Sequence, residues 1–322
     1  MSEANYSRDP DKFKLLLAAT ADAYVVWQLP SGEAAFLDRS SAGSSGSYAE
    51  EFRTRGKVNL AKATGIVLLP GQEVYWDHSA NNVTYKRVND RDFFVGTVTD
   101  GATSAATTVE VDLNKRQRFV VDINNDPTLS TIIGTQAIDT MGLYRRGSSH
   151  KIILSATNEA QKVDILSVDG FATGANAIIE GEFRVPADGA GTAVDISLGV
   201  ANGTHATDAD SITESIFIHL NANSTTIYAE SDDGTTEVAA TDTTTTYTEG
   251  SAVANRKHFM MDMRDPTDVQ IYIDGVLVLG ATVFNVNVAV GPWFLLAHVE
   301  KTASTDTYEL AVDKLRAWTS EQ

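Results

Sequence analysis

From about residue 24 onward, short runs of alternating apolar and polar residues are separated by Gly, Asn, Asp, Ser and Thr. A period of two is the signature of strands, whose successive side chains point to opposite faces. In 108–113 (TVEVDL), Val109, Val111 and Leu113 share one face while Glu110 and Asp112 share the other. Runs at 24–29, 73–76, 93–98, 151–155, 163–168, 177–185, 215–220, 257–263, 293–299 and 308–318 predict further strands. The clearest local signal is a hairpin. Val269, Ile271 and Ile273 alternate up to Asp274-Gly275, and Val276 and Val278 alternate away from it. Asp-Gly favours a type I′ turn, because both central residues need positive φ. A two-residue turn pairs 273 with 276 and 271 with 278, which puts all five apolar residues on one sheet face.

Helical periodicity is scarce. The best candidate is 9–23, where Asp9 caps and Pro10 takes the first helical position; an extended arm fits the same residues. The Thr-rich stretch 235–248 reads as an exposed loop or a polar edge strand. The turn residues and Pro127 within 122–135 place a domain junction there. The resulting division is an N-terminal arm or short helix (1–22), a β-domain (23–121), a linker (122–135) and a larger β-sandwich (136–322). At 322 residues, two domains match the usual domain size.

Charge narrows the function classes. The net charge is −18, from 25 Lys and Arg against 43 Asp and Glu. It is uneven: 12 basic residues stand against 15 acidic ones to residue 115, and 13 against 28 beyond it. A nucleic-acid partner needs a basic face, and an anionic membrane surface would repel this chain. No apolar run reaches transmembrane length, and the opening MSEANYSRDPDKFK lacks the layout of a signal peptide. With no cysteine, thiolate chemistry and disulfides are excluded.

Catalytic patterns are missing. The six histidines, His78, His150, His205, His219, His258 and His298, show no His-Glu-x-x-His spacing, and there is no nucleophile elbow or phosphate loop. Their scatter reads as surface or satisfied core positions. Glu180 and Glu182 share one strand face, as a glycosidase pair does, but a solvated outer face is the plainer reading. Glu110 and Asp112 begin a similar pattern that Asn114 and Lys115 break. The run Asp122, Asn124, Asp126 opens like a calcium loop, yet Pro127 and Ile133 stand where Gly and Glu are required. The expectation is therefore no enzyme, no catalytic residue, no cofactor and no metal.

Two resemblances add to this. The ordered set YVVWQL (24–29), GSSGSY (43–48), RGKVNLAKATG (55–65), LLPGQEVYWD (68–77), NNVTY (81–85), FFVGTVTDGA (93–102) and TTVEVDLN (107–114) resembles the small β-domain of tailed-phage capsid decoration, or cement, proteins. The pieces IIEGEFRV (178–185), KHFMMDMRDPTDVQIYIDGVLVL (257–279) and DTYELAVDKLRAW (306–318) resemble concanavalin-like, laminin-G-like sandwiches. The implied fold is all-β: a small barrel or sandwich decoration domain, then a concanavalin-like jelly roll. The implied function is a structural phage head protein, made in the host cytoplasm and placed on the outer surface of the mature capsid. Its partners would be the major capsid protein and itself, as a homotrimer, with no nucleic acid and no membrane. Tyr6, Phe13, Leu15, Leu16 and Leu17 are the candidate capsid-contacting arm. The alternative is an adhesion module whose C-terminal sandwich binds a surface glycan.

Overall fold

The computed structural model describes residues 12–16, 26–37, 48–117, 121–124, 127–141, 149–189, 193–206 and 208–319. They divide into two units, Met1–Gln117 and Arg118–Gln322. Among these residues no helix is long and apolar enough to cross a membrane.

The first unit is built from β1 (Lys12–Leu16), β2 (Val26–Gln28), β3 (Ala34–Leu37), β4 (Tyr48–Arg53), β5 (Lys57–Ala61), β6 (Glu73–Asp77), β7 (Asn82–Thr84), β8 (Phe93–Val98) and β9 (Thr108–Leu113). They form a four-stranded sheet, β1-β4-β3-β2, and a five-stranded sheet, β5-β9-β8-β6-β7. The alternation read in β9 holds: Val109, Val111 and Leu113 are buried, with Val58, Leu60, Val74 and Val95 in one core. Val26, Ala34 and Phe36 join that core from the four-stranded sheet. Gly96 is required by close packing, since a Cβ there would sit 2.1 Å from the Asp112 carbonyl oxygen. Asn114 takes a positive φ of 55° at the end of β9. Its amide accepts from the Ala34 N–H at 2.8 Å and donates to the Ala34 and Thr54 carbonyls. The residue that breaks the carboxylate pattern thus ties the two sheets.

The arm-or-helix reading of 1–22 is corrected at its centre. Lys12–Leu16 is a strand, paired antiparallel with β4 through Phe13↔Phe52 and Leu16↔Tyr48. The Asp9-Pro10 start signal is local, whereas pairing with residues some forty positions away supplies backbone partners that a short helix cannot.

The second unit contains β10 (Val121–Asp122), β11 (Pro127–Ile133), β12 (Ala137–Met141), β13 (Ser149–Leu154), β14 (Glu159–Ser167), β15 (Ala177–Asp188), β16 (Val194–Ala201), β17 (Glu214–Asn221), β18 (Thr226–Asp233), β19 (Glu237–Thr246), β20 (Lys257–Asp262), β21 (Gln270–Ile273), β22 (Val276–Val278), β23 (Phe294–Ser304) and β24 (Tyr308–Thr319). One sheet runs β12-β13-β24-β15-β20-β21-β22, with β10 also on β24; the other runs β11-β14-β23-β16-β17-β18-β19. All pairs are antiparallel. Ile179, Phe183, Phe259 and Leu310 from the first sheet meet Ile196, Leu198, Ile218 and Leu295 from the second in one core. This is the expected jelly-roll sandwich, two sheets sharing their inner faces. Trp293 and Trp318 are fully buried, as core residues rather than exposed stacking platforms.

The 122–135 stretch is not a linker. Val121 and Asp122 pair with Ala317 and Arg316, and β11 pairs along β14. The boundary lies between Gln117 and Arg118. Asn124, the centre of the calcium-like run, accepts from the Leu315 N–H and donates to the Val312 carbonyl. The Asp274-Gly275 hairpin has the predicted register, Ile273↔Val276 and Ile271↔Val278, with both turn residues at positive φ. Val269, Ile271, Ile273 and Val278 reach the core, but Val276 at the tip is 52% exposed. The Thr-rich stretch forms β19, an edge strand with mostly exposed side chains.

The solvated face expected for Glu180 and Glu182 is overturned: they are 0% and 6% exposed. Strand β15 lies between β20 and β24, and its outer face meets charges from both. Glu180 accepts from His258 Nε2 at 2.8 Å and Arg316 Nε at 2.7 Å, with Lys314 at 3.3 Å. Lys314 also reaches Glu182 at 2.8 Å. Arg184 grips Asp313 with two bonds of 2.6 Å, and Arg256 joins at 2.9 Å. Burial pushes the Glu180 carboxyl up, but Arg316, Lys314 and His258 outweigh it and hold it well below the usual range.

Two outcomes are expected. Residues 118–322 fold alone with a β-type circular dichroism spectrum, whereas 136–322, lacking β10 and β11, is insoluble or less stable by urea titration. Replacement Glu180→Ala removes the carboxylate that His258, Lys314 and Arg316 share and costs about 3–5 kcal/mol in urea unfolding.

Candidate functional site

Of the five arm residues, Phe13, Leu15 and Leu16 fall on β1, and Tyr6 and Leu17 lie outside the described residues. The first unit also holds an open cavity of about 530 Å³, lined by Trp27, Trp76, His78, Asn81, Arg91 and Phe93 among others. Trp76 is buried, whereas Trp27 is half-buried and its indole N–H has no hydrogen-bond acceptor among the described residues.

Sequence reasoning missed a polar row across the outer face of the seven-stranded sheet. Cross-strand register aligns Asp164 with His298, His298 with Ser197, Ser197 with His219 and His219 with Tyr228. Neighbours in register point to the same face, so residues up to 134 positions apart form one line. At one end, His298 Nδ1 bonds Asp164 at 2.6 Å and its Nε2 lies 3.4 Å from Glu300. Lys162 stands 3.7 Å from Asp164 and donates to the His205 carbonyl. At the other end, His219 Nδ1 faces Glu230 at 3.3 Å and Asp210 at 3.7 Å. Its Nε2 faces Asn221 at 3.1 Å and Asp195 at 3.2 Å. Asp210 comes from a short 3-10 turn, Ala209–Ser211, with Asp208 capping it.

Both rings are buried, which by itself favours the neutral imidazole. Glu230 and Asp195 overcome this at His219, and Asp164 and Glu300 at His298, raising each to about 9. The carboxylates bear the opposite strain. Burial, with Glu230 and Asp208 adding repulsion that His219 only partly offsets, lifts Asp195 to about 6. Burial, Glu230 and Asp195 lift Asp210 to about 6. Four of the six histidines (His150, His219, His258 and His298) are buried, which is the core alternative of the sequence reading. Three of the four face carboxylates.

The sign of the pH dependence follows. A histidine raised from 6.5 to about 9 stabilises the fold fully below pH 6.5, and that contribution is lost as pH rises through 9. Asp195 and Asp210, raised to about 6, also lower stability as pH rises from about 4 to 6. The protein should therefore melt at progressively lower temperature between pH 6.5 and 9. A His219→Gln, His298→Gln double variant should flatten that decline in melts followed by circular dichroism.

Several solved structures are distantly similar to this chain. The carbohydrate recognition domain of Emp47p is 12% identical, with 62% of this chain and 96% of that one covered and a TM-score of 0.40. The alginate lyase AlgAT5 is 14% identical over 53% of this chain and 77% of its own, at a TM-score of 0.37. A carbohydrate esterase from the Shiga toxin-encoding bacteriophage phi24B is 13% identical over 60% and 89%, at 0.36. These are distant likenesses. Comparison with curated proteins finds no match. The first unit is different: over residues 40–113, which take in β4 to β9, the chain matches the family described as phage cement protein.

Proposed function

We propose that this chain is a structural phage head decoration protein that binds the outer surface of the mature capsid and reinforces it. The match of residues 40–113 to the phage cement family carries the reading. The mechanism is adhesive. A protein that bridges neighbouring capsid subunits and binds only the assembled shell stabilises that shell by mass action. Many copies on a lattice add effective concentration, and a homotrimer would multiply it further.

Charge supports docking through the first unit. Residues 1–115 are close to neutral, with 12 basic against 15 acidic side chains, while the remainder has 13 against 28. Pressing the acidic sandwich against a crowded shell would cost desolvation and like-charge repulsion. The near-neutral unit avoids most of both, so the sandwich projects outward. Screening over about 8–10 Å at physiological salt limits its repulsion to close approach.

Co-sedimentation with purified mature heads tests this. Full-length protein and residues 1–117 should saturate heads at the same stoichiometry, and 118–322 should stay in the supernatant. Equal binding to unassembled capsid subunits would overturn the adhesive mechanism, and binding by 118–322 alone would reverse the orientation. Light scattering of the purified protein tests the trimer.

A further inference from the structure

We propose that strand β11 pairs with the β11 of a second copy of this chain, joining two seven-stranded sheets edge to edge across a two-fold axis. β11 ends its sheet. β14 pairs along one side of it, and among the described residues no strand pairs along the other. An unpaired side presents backbone N–H and C=O groups in strand geometry, which is a template for another strand.

The sandwich is also incomplete at this edge. Register sets Leu129 opposite Ile165 and Ile132 opposite Val163. Ile165 and Val163 are fully buried in the core, and neighbours in register share a face. Leu129 and Ile132 therefore lie on the core side of the sheet, yet they are 49% and 51% exposed. Ile133, in register with Lys162 on the outer face, is exposed as well. A strand that meets water on one face carries apolar residues on the other face only. Continuing the sheet into a second copy would cover both faces of β11 at once.

The other edges of the two sheets carry features that discourage pairing. β19 bears Glu237 and Asp242 among its threonines and has two register irregularities against β18. β12 holds Asp139. β22 is three residues long and is followed by Leu279 at a φ of 52°. Charge, irregularity and short length are the usual protections of a free edge. β11 has seven residues, no charge and a single irregularity. Its Pro127 stands at the first position, where a missing N–H costs the ladder least.

Charge favours a second copy as the occupant. Beyond residue 115 the chain has 13 basic and 28 acidic side chains, so two sandwiches repel wherever their acidic surfaces meet. Residues 127–138 hold no charged side chain, which leaves a strip along which two such bodies can approach. An antiparallel pair centred on Ser130 sets Pro127 opposite Ile133 and Asp126 opposite Gly134, so Asp126 does not face its own copy. A two-fold contact of this kind is closed, because each copy uses up its β11.

The test uses free full-length protein and does not depend on head binding. Sedimentation velocity at about 100 µM should give the mass of an even number of chains, falling on dilution. Raising sodium chloride from about 50 mM to about 500 mM should strengthen the association severalfold, because screening weakens the repulsion between acidic bodies and leaves the apolar strip. Leu129→Glu combined with Ile132→Glu, both at half-exposed positions, should keep the circular dichroism spectrum and halve the mass. A cross-link gives an answer that does not need that variant to fold. The chain has no cysteine, so Ser130→Cys supplies a single thiol, and a short bismaleimide should join two chains through it. Ala240→Cys, on the protected edge β19, should stay uncoupled. A mass of one or three chains at about 100 µM, a folded double variant of unchanged mass, association weakened by salt, or equal cross-linking at 130 and 240 would overturn the pairing.

Discussion

The carboxylate of Glu180 has no water to solvate it, and the eight-stranded sheet is organised around meeting that demand. A buried carboxylate must be paired and hydrogen-bonded or become neutral. Here the partners are His258 from β20 and Lys314 and Arg316 from β24, so ionisation of one side chain requires three strands to keep their register. A slip of one residue would turn Glu180 toward Ile179's place in the apolar core and Ile179 toward the charges. Glu182, Arg184, Arg256 and Asp313 extend the same pairing along β15 and β24. Such networks add specificity of register more reliably than net stability.

The opposite sheet treats its polar face differently. The Asp164–His298–Ser197–His219 row spans four strands, and its charge is balanced at one end only. His298 has Asp164 and Glu300, with Lys162 nearby, whereas His219 faces an excess of carboxylates. Buried ammonium groups elsewhere are resolved in a third way. Lys301 donates to the carbonyls of Ser155, Thr157, Ser304 and Asp306, which fastens the turn between β13 and β14 to the one between β23 and β24. Each solution ties together segments distant in sequence, so the sandwich is held by polar as well as apolar long-range contacts.

The first unit is simpler. Its core is aliphatic with a few aromatics, its sheets are joined by the Asn114 amide, and few of its charges are buried. A near-neutral unit with an open cavity lined by Trp27, Trp76 and Phe93 is followed in sequence by a strongly acidic sandwich.

By itself the sequence determined what depends on near neighbours. The all-β class, the strand β9 and the Asp274-Gly275 hairpin follow from a period of two and from turn chemistry, and both act over a few residues, whereas the Thr-rich stretch reads equally as a loop or as the edge strand that β19 is. The cement-like order of motifs in the first unit was also legible. Only the tertiary structure decided the rest. The 122–135 stretch looks like a linker because β11 is an edge strand whose Leu129, Ile132 and Ile133 stay exposed, so its composition lacks a buried face. Glu180 and Glu182 look solvated because a polar strand face reads the same whether it meets water or a neighbouring strand's Lys and Arg. Asp164, Ser197, His219 and His298 have no spacing to detect, since register between strands brings them together. Burial and charge balance belong to contacts between distant segments, and a local pattern carries no information about them.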